Sequence, residues 1–251
     1  MFTELFRFAC RTGLAAGLTV ALLAPQATPA ATTKPITRER KAKTATPAKK
    51  VVPPKVTSTT VELVPSDAAS RVLAWVATAH DNGRLPYAVI DKQTASLFLF
   101  KANGEPLGQT PVLIGVGVGD DSSPGVGAKT LAEIGPAERT TPAGRFVAKF
   151  GRAFGRQRVL WVDYANSVAL HAVITTNKKE RRVERLLSPT AEDNRITFGC
   201  INVGTSFYTG KLRPLFQNKG GIVYILPDTK SVDDVFPRAR LLPYLEAAAG
   251  Q

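Results

Sequence analysis

Cys200 and His171 are the side chains of this sequence whose types point most directly to covalent chemistry. The 251-residue chain holds two cysteines and two histidines, and Cys200 follows a glycine in the run ITFGCINV, residues 196–203. An imidazole that removes the thiol proton turns sulfur into a strong nucleophile for amide carbonyls. Gly199 would leave backbone N–H groups unobstructed toward the resulting oxyanion. The alternative is a free cysteine packed as a small apolar side chain.

Residues 1–30 have the pattern of a cleavable export signal. Arg7 and Arg11 precede an apolar run of twelve residues, GLAAGLTVALLA, which is too short to cross a bilayer comfortably, and small residues follow it. Cleavage would leave Cys200 as the single cysteine, so that no internal disulfide could form. We therefore expect an exported protein of the periplasm or cell envelope, with an uncleaved anchor as the alternative.

Residues 31–60 read as a disordered basic linker, because they are rich in Lys, Pro and Thr and show no apolar period. The first 56 residues carry ten basic and two acidic side chains, so much of the formal charge of +13 lies outside the expected folded domain. Attraction to an anionic envelope polymer fits this charge better than nucleic-acid binding, since no basic patch is interleaved with aromatic residues. A merely solvated spacer is the alternative.

The rest of the chain predicts a mainly β fold with a few short helices. Apolar residues recur at helical spacing over residues 66–83, with Ser66 as the N-cap and His80 as a surface residue of the last turn. From residue 86 onward, short β-branched and aromatic runs alternate with turn formers. The predicted strands cover residues 87–91, 96–101, 110–118, 145–150, 159–163, 168–173 and 222–226.

Three motifs follow one another in a definite order: TTPAGRF at 140–146, SVALH at 167–171 and TFGCIN at 197–202. This order resembles the L,D-transpeptidase catalytic domain, or YkuD domain, of bacterial cell-wall enzymes, over residues 86–227. The sequence departs from the family pattern in two places. Phe198 stands where the family often has histidine, and 29 positions separate His171 from Cys200. A basic insert, predicted as an amphipathic helix over residues 177–187, fills that longer interval.

The resemblance implies an L,D-transpeptidase-like β-sandwich or barrel over residues 85–228. A helix within 61–84 would pack on it, and a C-terminal segment, 229–251, would follow. It also implies that Cys200 attacks peptidoglycan stem peptides, releases D-alanine as a thioester forms, and passes the acyl group to an amine of another stem or of an envelope protein. Carbapenem-type inhibitors would acylate the same thiol. A carboxypeptidase or other peptidoglycan amide hydrolase, or an inactive peptidoglycan-binding module, are the alternatives.

The predicted site has a catalytic part and a substrate-facing part. Cys200, His171 and Gly199 are the expected catalytic residues. The substrate-binding residues are expected to be Thr197, Phe198, Arg195 and Asn202, of which Thr197 and Asn202 would also hold the loop. The resemblance implies a backbone carbonyl near Ala172 as the acceptor for the imidazole, with Asp163 as the alternative.

We expect neither a metal nor a cofactor. No His, Cys or Asp cluster has the spacing of zinc ligands, and thioester chemistry draws its energy from the peptide bond that is broken. The glycine-rich run from Gly115 to Gly127 lacks the frame of a phosphate-binding loop, so it is predicted as a loop beside a strand. Asp120 in that run is predicted to be solvated, because calcium-loop spacing is missing.

Overall fold

The computed structural model describes residues 63–153 and 157–250; the predicted export signal and linker, residues 1–30 and 31–60, lie outside the described residues. The strands are β1 (Tyr87–Asp91), β2 (Ser96–Phe100), β3 (Pro106–Gly115), β4 (Gly144–Arg152), β5 (Arg158–Asp163), β6 (Val168–Ala172), β7 (Arg195–Thr197), β8 (Ile201–Val203) and β9 (Gly221–Ile225). The helices are α1 (Asp67–Ala79), α2 (Arg182–Leu186), α3 (Thr205–Phe207), α4 (Arg213–Phe216), α5 (Val232–Val235) and α6 (Leu242–Ala249).

Eight strands close into a barrel. Their order is β2-β1-β9-β4-β5-β6-β8-β3, and β3 returns to pair with β2. The pairs β1–β9 and β6–β8 are parallel, and the remaining pairs around the ring are antiparallel. The short strand β7 pairs in parallel with the end of β3. The prediction of a mainly β fold with a few short helices is therefore confirmed.

Strand alternation decides which side chains fill the barrel and which lie outside it. Successive side chains on a strand point to opposite faces. Leu170 of β6 and Ile201 of β8 are register partners, and both are fully buried in the interior core. The next pair, His171 and Asn202, therefore lies on the outer face of the barrel wall. The predicted site residue His171 therefore lies outside the barrel interior.

A second apolar cluster joins the outer surface of β1 and β9 to α1 and to the C-terminal helices. The Trp75 ring of α1 meets Tyr224 of β9 edge-on, with the centroids 6.1 Å apart, and lies 6.3 Å from Phe236. Helix α1 begins at Ser66, whose hydroxyl accepts an N–H of the first turn, and ends at the exposed His80. No helix in the described ranges combines the length and apolar character of a membrane span.

The strand predicted over residues 110–118 is observed as β3, which starts earlier and stops at Gly115. Its end approaches another backbone segment very closely, since a Cβ at Gly115 would lie 2.2 Å from the carbonyl oxygen of Arg139. Glycine is required where two backbones come this close. This part of the glycine-rich run is thus a contact surface for the segment around Arg139.

The insert does not form the amphipathic helix predicted over residues 177–187. Arg181 adopts a left-handed conformation with φ of 48°, which separates a single turn at Lys178–Glu180 from the short helix α2. Of the three apolar residues of the insert, Val183, Leu186 and Leu187, only Leu186 is buried. Val183 and Leu187 are 46% and 69% exposed. The left-handed conformation of Arg181 interrupts the single helical period assumed from sequence, and α2 covers only five residues.

Candidate active site

Cys200 and His171 share the outer face of the barrel wall. His171 pairs in register with Asn202, and Cys200 stands two residues before Asn202, so its side chain belongs to the same face one pleat away. The half-buried thiol donates to the Ser167 carbonyl at 3.6 Å. Within the described ranges no hydrogen bond joins Sγ to the imidazole, so the direct contact expected from sequence is not made in this resting arrangement.

The partners of the His171 ring define its tautomer. Nδ1 lies 2.8 Å from the carbonyl oxygen of Ala172, and Nε2 lies 3.1 Å from Nδ2 of Asn202. A carbonyl oxygen only accepts, so Nδ1 carries the proton and Nε2 keeps a lone pair. Ala172 is thus the acceptor that the resemblance implied. Asp163, the alternative, binds Asn166 instead.

The environment favours the uncharged form of both groups. Burial lowers the pKa of His171; the hydrogen bond to Ala172 opposes this, and the nearby Arg182 charge lowers the pKa further. Burial raises the pKa of the Cys200 thiol, while the Ala169 backbone and the charge of Arg182 act in the opposite direction. Near neutral pH the resting site therefore holds a thiol and a neutral imidazole.

The TTPAG motif supports the loop that carries the cysteine. The Thr141 hydroxyl donates to the Gly199 carbonyl at 2.9 Å and accepts the Gly115 N–H at 2.8 Å. Gly199 has φ of +117°, and a Cβ there would lie 2.7 Å from the Thr140 carbonyl oxygen. Both the conformation and the space at residue 199 therefore require glycine.

Gly199→Ala is expected to destabilise the folded domain by about 1–3 kcal/mol, because a side chain at positive φ is strained and its Cβ clashes with fixed backbone. Denaturant unfolding of the purified domain measures the change. Gly204→Ala is the matched control, since a Cβ at Gly204 meets nothing within 4 Å and φ is −56°. Equal effects of the two substitutions would contradict the steric argument.

Thr197 organises the backbone on either side of the thiol. Its hydroxyl donates to the Cys200 carbonyl at 2.6 Å and accepts the Gly199 N–H at 3.2 Å. The Gly199 N–H is therefore occupied, in contrast to the expectation that it points toward an oxyanion. Within the described part of the chain the Cys200 N–H takes part in no hydrogen bond. In this loop it is a backbone donor without a protein acceptor.

The other three residues assigned to the substrate side have protein partners. The Arg139 guanidinium lies 4.0 Å from the centroid of the half-buried Phe198 ring. Arg195 is paired with Asp228 at 2.6 Å and is 16% exposed, so its charge is already neutralised rather than presented to a substrate carboxylate. Asn202 is fully buried and bonds the imidazole rather than the loop backbone.

A buried ion cluster lies behind the TTPAG motif. The fully buried Lys92 ammonium is 3.0 Å from Asp120 and 3.2 Å from Asp228, and it donates to the Thr141 carbonyl at 2.9 Å. Burial opposes the charge of Asp120, but backbone N–H groups of residues 228–230 and the Lys92 ammonium hold its pKa well below its usual range. Asp120 is 5% exposed, so the prediction of a solvated residue is wrong.

Arg182 is the residue of the site that the sequence did not identify. Its side chain, 13% exposed, turns inward from the start of α2, and Nη1 donates to Oδ1 of Asn202 at 2.9 Å. Glu180 binds the Nε side of the same guanidinium. The basic character of the insert was visible in the sequence, but a run of charges does not indicate which one is buried.

No protein-family model matches this chain, and no curated protein matches it. Solved structures match part of it. The Ldtfm–avibactam carbamoyl enzyme is 16% identical, over 56% of this chain and 48% of that chain, with a TM-score of 0.34. The catalytic domain of the E. faecium L,D-transpeptidase is 14% identical over 57% of this chain and 98% of that chain, with a TM-score of 0.33. Pgp2, a helical cell shape determining protein from Campylobacter jejuni, is 11% identical over 69% of this chain and 62% of that chain, with a TM-score of 0.38. This chain spans about half the length of the first of these proteins.

Proposed function

We propose that this protein is an exported, cysteine-dependent L,D-transpeptidase that acts on peptidoglycan stem peptides. The observation that carries the proposal is the register of β6 and β8, which sets His171 opposite Asn202 and leaves the half-buried Cys200 two residues before it. The imidazole is protonated on Nδ1, so Nε2 keeps the lone pair that a base needs. The order of the TTPAGRF, SVALH and TFGCIN motifs supports the substrate class.

The first half of the proposed cycle forms a thioester. Nε2 of His171 takes the Sγ proton, and the sulfur attacks the carbonyl of the third stem residue. The oxyanion accepts the free N–H of Cys200. The C–N bond to D-alanine then breaks, and the imidazolium returns its proton to the departing amine. Because the old peptide bond supplies the energy of the thioester, no nucleotide is consumed.

The second half transfers the acyl group. An amine of another stem peptide, or of an envelope protein, gives a proton to Nε2 and attacks the thioester carbonyl. The C–S bond breaks, and the sulfur leaves as a thiolate that recovers its proton from the imidazolium. Water in place of the amine would make the protein a carboxypeptidase, so the acceptor defines the activity.

Intact-mass analysis tests this proposal directly. The purified domain is incubated with a disaccharide-tetrapeptide or with a carbapenem, and the mass and position of any adduct are determined. An acyl adduct on Cys200 supports the thioester step. The ratio of cross-linked to hydrolysed products then distinguishes acyl transfer from hydrolysis. Binding of peptidoglycan without any adduct would instead identify an inactive binding module.

The proposed export has its own test. Cleavage within residues 25–31 and recovery from the periplasm or cell envelope are expected from the apolar run and the small residues that follow it. N-terminal sequencing of the protein from fractionated cells measures both. An intact N-terminus in the cytoplasmic fraction would contradict the assignment.

The pH dependence of acylation is expected to follow the buried imidazole. The base must be neutral, so kcat/KM rises as the pH increases through the His171 pKa. Since burial lowers that pKa from its ordinary 6.5, the half-maximal rate on the acid side should fall below pH 6.5. Stopped-flow acylation by a carbapenem between pH 4 and pH 9, roughly the range over which imidazole and thiol titrate, measures the profile. An acid limb at or above pH 6.5 would show that the site stabilises imidazolium instead.

A further inference from the structure

We propose that Arg182 is a positioning residue, which fixes the direction of the Asn202 side-chain amide and thereby keeps the His171 lone pair on Nε2. Arg182 contacts neither the thiol nor the imidazole directly and acts through Asn202. Its effect on catalysis rests on the function proposed above, whereas its effect on the imidazole tautomer does not.

The polarity of every contact follows from the arginine. A guanidinium only donates, so the atom of Asn202 at 2.9 Å from it must be the carbonyl oxygen. The amide nitrogen then faces His171 at 3.1 Å, and because it also only donates, Nε2 must accept. The proton is left on Nδ1, where the Ala172 carbonyl receives it at 2.8 Å. The guanidinium, acting through Asn202, and the Ala172 carbonyl thus favour the same tautomer from opposite sides of the ring.

Burial makes the reversed arrangement unfavourable. Asn202 is fully buried, and His171 and the Arg182 side chain are 9% and 13% exposed. A rotated amide would set its NH₂ group against the guanidinium and its oxygen against the Nε2 lone pair. Neither group has bulk water at hand to replace the lost bond, so such a mismatch is expensive. The arginine therefore holds one of the two amide orientations.

The insert is folded so that Arg182 can reach inward. The left-handed residue Arg181 turns the chain at the start of α2, and Glu180 on the preceding turn binds the guanidinium from its other side. Arg182, paired with Glu180, is the charged group whose field acts on both the imidazole and the Cys200 thiol. The neighbouring Arg181 is 71% exposed and pairs with Glu184, away from this chain of contacts.

This arrangement predicts an effect on the chemical step rather than on substrate affinity. Nε2 accepts a hydrogen bond from the Asn202 N–H at rest, so this bond must break when the thiol proton moves to the ring. Because Arg182 still holds Oδ1, the amide keeps its orientation, and the bond to Nε2 can re-form between turnovers. Loss of Arg182 should therefore lower kcat and leave KM nearly unchanged.

The test compares Arg182→Gln with Arg182→Lys and with Arg181→Gln, which removes an exposed charge of the same insert. Nitrogen-15 NMR of the imidazole reports the tautomer in the Cys200→Ala protein, without any turnover. His80→Gln identifies the resonances of the second histidine. In Arg182→Gln we expect a mixture of tautomers and a kcat lower by about 10–100-fold, the range found for groups that orient metal-ligating histidines. Arg182→Lys can still donate to Oδ1, so it should keep part of the single tautomer and part of the kcat. Arg181→Gln should change neither the tautomer nor the kcat.

Several results would overturn the inference. A raised KM with unchanged kcat in Arg182→Gln would make Arg182 a substrate contact. An unchanged Nδ1–H tautomer in a folded Arg182→Gln protein would remove its positioning role. If that variant fails to fold, Asn202→Ser removes the same amide and must show the same loss of the single tautomer. Turnover that survives Cys200→Ala and His171→Ala would refute the proposed function alone, and the NMR result would still decide the role of Arg182.

Discussion

Replacing Cys200 with alanine should lower turnover by about 10⁴-fold or more and abolish the acyl adduct, because loss of a covalent nucleophile removes the whole two-step path. His171→Gln keeps a polar side chain of similar reach without a titratable base, and a loss of about 10²–10⁴-fold is expected. Both follow from the shared outer face of β6 and β8, where no second thiol lies within the described residues. Chromatography of stem-peptide products and intact-mass analysis measure the two effects.

A combined variant gives the control for this prediction. If Cys200 and His171 act as one unit, the double substitution should cost little more than Cys200→Ala alone, because the base has no proton to take once the thiol is gone. Additive losses, or turnover that survives either single change, would show that the reaction uses other groups. Unfolding midpoints equal to that of the unchanged protein exclude misfolding as the cause.

Lys92→Met should reduce the free energy of unfolding by about 3–5 kcal/mol, because removal of the ammonium leaves the buried Asp120 carboxylate without its ion-pair partner, whereas Asp228 keeps Arg195. The Lys92 ammonium has no exposed surface, and Asp120 and Asp228 beside it are nearly as deeply buried. Denaturant unfolding at neutral pH measures the loss. Since the same ammonium holds the Thr141 carbonyl, slower acylation of Cys200 should accompany the lower stability.

Lys101→Met is the matched control for the buried cluster. Lys101 also forms an ion pair, with Glu105 at 2.7 Å, but the two side chains are 44% and 53% exposed. Surface pairs of this kind contribute about 0–1 kcal/mol, so the stability should change little. A similar loss in both variants would mean that burial of Lys92 does not set the size of its effect.

The predicted features that the structure reproduces are those with a strong local signal. The apolar runs at 87–91, 96–101, 159–163 and 222–226 correspond to strands within a few residues, because alternate aliphatic side chains of each run fill the barrel interior. The three-residue strands β7 and β8 had no such signal, since a segment this short shows no period. Their pairing depends on neighbours far away along the chain.

The residues of the candidate site also divide into those that the sequence could identify and those whose contacts it could not predict. The residue types of Cys200, His171 and Gly199 suggested chemistry, and the structure places them in one region. The partners of Arg195 and Asn202 were not deducible, because an ion pair with Asp228 and a bond to Arg182 depend on which long side chains become buried. Sequence pattern identifies charged residues, but their direction is decided by tertiary packing.

Closure of the barrel has a consequence for crowding among copies of this domain. A sheet with a free border offers unpaired N–H and C=O groups to which a second molecule can add a strand. Each of the eight strands of the ring has neighbours on both sides, and among the described residues only the three-residue β7 forms a border. We expect the folded domain to resist edge-to-edge aggregation even when it is concentrated, and any self-association to proceed through side-chain surfaces.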